Sequence, residues 1–230
     1  VRVIANHSSG RMGFALAECA RDRGARVTLI GGVTQLRIPR GTEYISAPSA
    51  RQMRAAVLDA IADADALVMA AAVADFRPAQ SAEQKIKKGD AETLTLELVR
   101  NPDILRDVAN WKELKGTEGT RGTGISSLAT RHSPLVIGFA AETQDLIANA
   151  RAKLESKNLD LIVANPVPQT FGSELDQATL IARPDLGKAF PRNFGAGDVG
   201  LHLGYWPVNV QAAQSLLRRG VRLIHTTPYG

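Results

Sequence analysis

The chain has 230 residues, 44% of them hydrophobic, and its 28 Lys plus Arg against 23 Asp plus Glu give a formal charge of +5. This fits one large domain, or a domain with an appendage, around a sizeable core; the small, dispersed basic excess suits phosphorylated anions and argues against a nucleic-acid surface. The single cysteine, Cys19, excludes an internal disulfide, and with no apolar run near the ~18 residues of a membrane span and no signal peptide, a cytoplasmic protein without a membrane partner is expected.

The chain opens on a short β-branched segment, VRVIA (1–5), which predicts a strand, followed by turn chemistry in NHSSGRMG (6–13). FALAECARDRG (14–24) predicts a helix with Gly24 as its C′ stop, and Cys19 within it reads as a buried structural thiol. ARVTLIGG (25–32) predicts a buried strand, and a loop then leads to the short strand EYISA. Residues 49–64 predict an amphipathic helix capped by Ser49, and DALVMAAAVADF (65–76) an apolar strand with a polar tip. The order β-α-β-α-β with short connections predicts a parallel sheet.

After Pro78 the pattern changes. The alternating TLTLELV (93–99) predicts an edge or hairpin strand, and DILRDVANWKEL (103–114) a helix. Residues 115–133, rich in Gly, Thr and Ser, predict a mobile loop. PLVIGFAAE (134–142) and DLIVANPV (160–167) read as buried strands on either side of a helix in 143–159. Beyond about residue 184, Pro and Gly are scattered without a period; a helix in VQAAQSLLRRG (210–220) and a strand in VRLIHTT (221–227) close the chain. The predicted fold is α/β: a Rossmann-like parallel sheet with helices on both faces and a small strand or hairpin extension. Its core is expected over residues 1–183, with an atypical segment over 184–230.

The loop SSGRMG places Gly10 and Gly13 at the start of a helix, where free N–H groups and the positive end of the helix dipole make an anion seat. The dinucleotide fingerprint wants Gly where Ser8 stands and an acidic residue about 20 positions on, where LIGG offers none. A tyrosine-dependent reductase also needs Tyr and Lys four apart. Tyr44 and Tyr205 are followed at that distance by Pro48 and Asn209, and Tyr229 has only Gly230 after it. The absence of G-x-x-x-x-G-K-[ST] excludes a P-loop.

AAAVADFRP (70–78) ends a strand, where open α/β sheets place ligands. Its alanines leave room for a ligand to approach the backbone. Asp75 reads either as a metal or ribose ligand or as a capping residue. KIKK (85–88) reads as a solvated face or, at Lys85, as a cation beyond the same strand tip. Lys153 and Lys157 lie four apart on one helical face, where like charges repel; an anion between them explains the pair, as does exposure with Arg151 and Glu155 compensating. NPDI (101–104) reads as a turn into a helix with Asn101 as cap, and Phe139 as a core residue or a stacking platform for a base.

NHSSGRMG, AAVADFRP, KIKKG, VRNPDIL, GFAAET and AKLESKNLDLIVAN, in this order, resemble the phosphopantothenate–cysteine ligase family, the ligase half of the bacterial bifunctional coenzyme A biosynthesis flavoprotein. The likeness covers about residues 1–182 and includes FGSELDQATLI. It implies a Mg²⁺-dependent ligase that uses CTP to join 4′-phosphopantothenate to cysteine. In that reaction the pantothenate carboxylate attacks the α-phosphorus, giving an acyl-cytidylate and pyrophosphate, and the cysteine amine then displaces CMP.

The resemblance also implies residue roles. Asn6 would hold the acyl intermediate and assist amide formation, and Arg2 would contact the substrate phosphate. Ser9 and Gly10 would seat the nucleotide phosphates, Ala71, Ala72 and Asp75 would surround CTP with Asp75 on ribose or Mg²⁺, and Lys85 would neutralise the triphosphate. Asn101, Pro102, Asp103, Ile104, Phe139, Lys153 and Lys157 would supply the remaining CTP contacts. A homodimer with its site completed around KIKK is implied, as is fusion to, or association with, a phosphopantothenoylcysteine decarboxylase, the part that would carry FMN. The family's first strand and Gly-Gly-Thr loop are expected upstream of Val1, the 115–133 loop is longer than the family's, and nothing after about residue 183 matches it. The alternatives are an NAD(P)-dependent oxidoreductase, weakened by the missing ribose acid and Tyr/Lys pair, and a non-catalytic nucleotide-binding relative, against which Asn6 and Lys85 speak.

Overall fold

A computed structural model of the chain describes residues 6, 8–80, 84, 93–120, 133–166, 176–184, 199–203 and 222–227. In chain order the elements are α1 (Arg11–Asp22), β1 (Arg26–Gly31), β2 (Glu43–Ser46), α2 (Ala50–Ala60), β3 (Ala66–Met69), β4 (Phe76–Pro78), β5 (Leu98–Arg100) and α3 (Ile104–Thr120). They continue with β6 (Leu135–Glu142), α4 (Leu146–Ser156), β7 (Leu161–Pro166), β8 (Asp176–Ala182), β9 (Val199–Leu203) and β10 (Arg222–Thr227). The predicted strand 1–5 and helix 210–220 lie outside the described residues.

Local chemistry explains the helix ends. In α1, Phe14, Ala17 and Ala20 repeat at helical spacing and are buried. The helix starts at Arg11, three residues before the apolar stripe predicts, because Gly10 in a left-handed conformation (φ 69°) caps it. It stops as predicted: Gly24 at φ 89° lets its own N–H reach the Arg21 carbonyl (2.8 Å) and the Ala25 N–H reach that of Ala20 (3.1 Å). Cys19 is half-buried, not buried as expected, and accepts the Arg23 guanidinium at its Sγ (2.5 Å). At α2 the predicted cap holds: Ser49 Oγ accepts the Gln52 N–H (3.3 Å) and donates to the Gln52 side-chain oxygen (2.5 Å). The helix tightens into a 3₁₀ turn at Ile61–Asp63 instead of running on to residue 64.

The main sheet has eight strands in the order β2-β1-β10-β3-β6-β7-β8-β9. Pairing is parallel from β2 to β7 and antiparallel at β7–β8 and β8–β9. The fold is therefore α/β with a mixed sheet, parallel where the site lies. Strand β10, near the end of the chain, sits between β1 and β3, so the sheet draws on residues from both sides of position 184. Alternation along the strands divides two cores. Val27, Leu29, Ala66 and Val68 meet α1 on one face; Ile30, Leu67, Met69, Val136 and Ile162 meet residues of α2, α3 and α4 on the other.

A small antiparallel sheet, β4–β5, supplies the predicted extension. Only residues 98–100 of the TLTLELV region form a strand, however, and Leu94, Leu96 and Leu98 are exposed. Strand β3 ends at Met69 and not at the predicted residue 76, which frees residues 70–75 as a loop at the carboxyl end of the sheet. Helix α3 runs to Thr120, so residues 115–120 are helical where a loop is predicted; 121–132 lie outside the described residues.

The amino ends of the strands are held by Asp160, which is 3% exposed. Its carboxylate accepts the Val136 N–H (2.7 Å), the Lys112 ammonium (3.0 Å) and the Arg183 guanidinium (2.9 Å), tying β6, α3 and the end of β8 together. Both charges on partners and three acceptor contacts satisfy a carboxylate that would otherwise be too costly to bury. Among the described residues no helix is long and apolar enough to cross a membrane.

Candidate functional site

The carboxyl ends of β3 and β6, the start of α3 and the last turn of α4 enclose a cavity of about 490 Å³. That is within the ~300–1,000 Å³ usual for small-molecule sites. Of the predicted site residues, Ala71, Asp75, Asn101, Pro102, Asp103, Ile104, Phe139, Lys153 and Lys157 line it. They come from four separate stretches of sequence, and the fold brings them to one place. Arg2, Lys85 and the rest of KIKK lie outside the described residues.

Asn101 is the brace of this wall. Its backbone N–H donates to the Asp75 carbonyl (2.8 Å), its side-chain amide donates to the Ala74 carbonyl (2.8 Å), and its Oδ1 accepts from Arg77 (3.2 Å). The Arg77 guanidinium also donates to the Arg100 carbonyl. The loop after β3 and the turn before α3 are thereby fixed to each other. Asn101 is thus not the helix cap that its sequence position predicts. That role falls to Asp103, whose Oδ1 accepts the Arg106 N–H (3.2 Å) and whose carbonyl accepts that of Asp107 (3.0 Å).

The opposite wall carries charge. Lys153 Nζ donates to the Phe139 carbonyl (2.7 Å), which fixes the ammonium on a neutral acceptor. Burial pushes the Lys153 pKa below the ordinary lysine value, and nearby Lys157 adds to this, while Glu142, Asp103 and Asp75 oppose it. Lys157 is the C-cap residue of α4, where a cation also suits the helix dipole, and it forms an ion pair with Asp103 Oδ2. Burial alone would raise the Asp103 carboxyl, but hydrogen bonds from Lys157 and the Arg106 N–H, with their charges, hold it below the ordinary carboxylate value. Phe139 is partly buried and packs against the α1-side core, in keeping with its core reading, and it also lines the cavity.

Asn6, Ser9, Gly10 and Ala72 are not among the cavity's lining residues. Asn6 is exposed, and its side-chain amide reaches the Val73 carbonyl (3.3 Å), which sets it beside the same strand-tip loop. The Ser8 and Ser9 hydroxyls accept the Gly10 and Arg11 N–H groups at 3.4 Å, long contacts that cover the start of α1. Asp75 is exposed and lines the cavity; among the described residues no group of three or more His, Cys, Asp or Glu is placed to hold a metal ion.

Sequence reasoning missed Met69, Val73, Ala74, Phe76, Arg100 and Leu105 as lining residues. All but Met69 carried a signal, since each adjoins a predicted site residue: Val73 and Ala74 lie between Ala72 and Asp75, Phe76 follows Asp75, Arg100 precedes Asn101 and Leu105 follows Ile104. In the structure the Arg100 guanidinium stands 5.8 Å from the centre of the Phe76 ring, within cation–π range.

Comparison with known proteins shows the family and the fold. The family model described as the DNA/pantothenate metabolism flavoprotein C-terminal domain matches residues 1–117 and 123–193. The coenzyme A biosynthesis bifunctional protein CoaBC of Vibrio vulnificus (strain YJ016) is 43% identical over 197 residues, 84% of this chain and 44% of that protein. The CoaBC protein of Mycolicibacterium smegmatis is 45% identical over 181 residues, 76% of this chain and 40% of that protein. The chain thus spans less than half the length of these curated relatives. Among solved structures, the C-terminal domain of a CoaBC protein superimposes with a TM-score of 0.63 at 27% identity, covering 95% of this chain and 83% of that one. The DNA/pantothenate metabolism flavoprotein from Streptococcus pneumoniae, at 22% identity and a TM-score of 0.61, shares the fold. With most of its length matched by one family model and close relatives under one name, the chain belongs to the DNA/pantothenate metabolism flavoprotein C-terminal domain family.

Proposed function

We propose that the chain is a CTP-dependent ligase that joins 4′-phosphopantothenate and cysteine through an acyl-cytidylate, a step of coenzyme A biosynthesis. One observation carries the reading: the strand-tip loop, the Asn101–Ile104 turn, Phe139 and two lysines surround a single cavity large enough for a nucleotide. The lysines suit phosphates, Phe139 would contact the nucleotide on this reading, and the backbone around Asn101 offers polar groups held rigid by its own hydrogen bonds. Acyl-nucleotide formation needs mainly such positioning and charge neutralisation. The relatives' name supports the pathway, since they are coenzyme A biosynthesis proteins.

Asp75 fits a Mg²⁺ ion that arrives with the triphosphate. Mg²⁺ is usually held by one or two carboxylates together with substrate phosphates, and an exposed carboxylate on the cavity wall meets that requirement. When bound, the ion would neutralise charge on the phosphates. Asn6, tethered to the Val73 carbonyl beside the same loop, is placed by this reading next to the acyl intermediate, and Lys85 near the triphosphate. A homodimer and a decarboxylase partner carrying FMN complete the proposal, the latter in keeping with relatives described as bifunctional.

Two variants test the division of labour. Asn6→Asp is expected to release pyrophosphate from CTP yet stall before the amide forms, whereas Lys85→Gln is expected to prevent pyrophosphate release. An Asn6→Asp protein that makes the amide at the wild-type rate would refute the role of Asn6.

A further inference from the structure

We propose that the Asp103 carboxylate is an internal competitor for the phosphates that Lys157 serves, holding the Lys157 ammonium until a polyanion takes it over. This rests on the nucleotide reading above and deepens it. The two lysines of the cavity are held in different ways. Lys153 is fixed on the Phe139 carbonyl, a neutral acceptor. Lys157 is paired with the Asp103 carboxylate, which offsets part of its charge.

The pair has the features of an exchangeable contact. Its side chains are 26% and 41% exposed, so water reaches both, and an ion pair in that setting is weak. Asp103 does not depend on Lys157 to stay in place, because its other oxygen caps α3 at the Arg106 N–H. The carboxylate therefore remains at the cavity wall after the ammonium leaves. A ligand with several negative charges displaces it at Lys157 but must then lie beside it. The consequence is a nucleotide affinity below what the two lysines alone would give.

The test compares wild type, Asp103→Asn, Lys157→Gln and the double variant for binding of CTP and of inorganic tripolyphosphate, by titration calorimetry at fixed ionic strength. Asn is as good a helix cap as Asp, so Asp103→Asn keeps the fold, which thermal melting checks. The expected result is about threefold or greater tightening of both ligands in Asp103→Asn, the worth of one half-exposed ion pair. In the Lys157→Gln background the same change is expected to give less than half that effect. Unchanged or weakened binding in Asp103→Asn overturns the inference, the weakened case making the carboxylate a ligand contact. Wild type that binds neither ligand overturns the nucleotide reading and this inference with it; wild type that binds CTP while Asp103→Asn gains nothing overturns this inference alone.

Discussion

Replacing Asn101 by Ala removes two side-chain contacts, the amide to the Ala74 carbonyl at 2.8 Å and the oxygen to the Arg77 guanidinium at 3.2 Å, while leaving the backbone bond to Asp75 intact. A neutral hydrogen bond contributes about 0.5–1.5 kcal/mol and one to a charged group about 1.5–3. Arg77 keeps its contact with the Arg100 carbonyl, so the lower end of the second range applies. The expected loss is about 2–3 kcal/mol by urea unfolding. Asn101→Asp separates bracing from mere polarity. It keeps an acceptor for Arg77 but turns a carboxylate oxygen toward the Ala74 carbonyl, so it is expected to be at least as damaging despite the added ion pair. Because the brace joins the strand-tip loop to the turn before α3, both variants are also expected to weaken CTP binding. A stability within about 0.5 kcal/mol of wild type in Asn101→Ala would refute the bracing role, since that is the scatter of ordinary surface substitutions.

Three further outcomes follow from the same contacts. Asp160→Ala leaves Lys112 and Arg183 beside a buried gap and the Val136 N–H without its side-chain acceptor; a loss of about 3–5 kcal/mol in urea is expected, and under about 1 would mean the network is dispensable. Gly138→Ala would put a Cβ 2.6 Å from Leu159 Cδ1, a fully buried side chain, so about 1–3 kcal/mol is expected on the same measurement, and none would mean that Leu159 can move aside. Burial depresses the Lys153 pKa in the folded chain. Between that value and the ~10.4 of an unfolded lysine the unfolded chain holds more protons, so this residue's contribution to stability rises with pH across the window. Bound phosphates favour the ammonium, so CTP affinity is expected to fall as pH rises through the depressed value and Lys153→Met to lose that dependence; a wild-type affinity that stays flat through that range would contradict it.

Much of the scaffold was legible because its signals are local. The Gly24 stop and the Ser49 cap depend on a few neighbouring residues, and the α1 stripe on helical spacing alone. Where tertiary contacts decide, the sequence was silent. VRLIHTT reads as a strand, but nothing in it specifies a place between β1 and β3. Asn101 and Asp103 are both plausible caps for α3, and the choice is made by Ala74 and Arg77, which engage Asn101 from another part of the chain. Residues 65–76 look apolar enough for a longer strand, yet the backbone leaves the sheet after Met69, where that same brace claims it. The lysine spacing suggested an anion between Lys153 and Lys157; it could not reveal that one is held by a carbonyl and the other by Asp103.

The measurement that tests the central claim most directly is pyrophosphate release by this chain with Mg²⁺ and 4′-phosphopantothenate, before cysteine is added, with CTP, ATP or no nucleotide in parallel. The ligase reading predicts release with CTP only, in a burst of about one equivalent per site. No release with CTP, or equal release when 4′-phosphopantothenate is omitted, would contradict it.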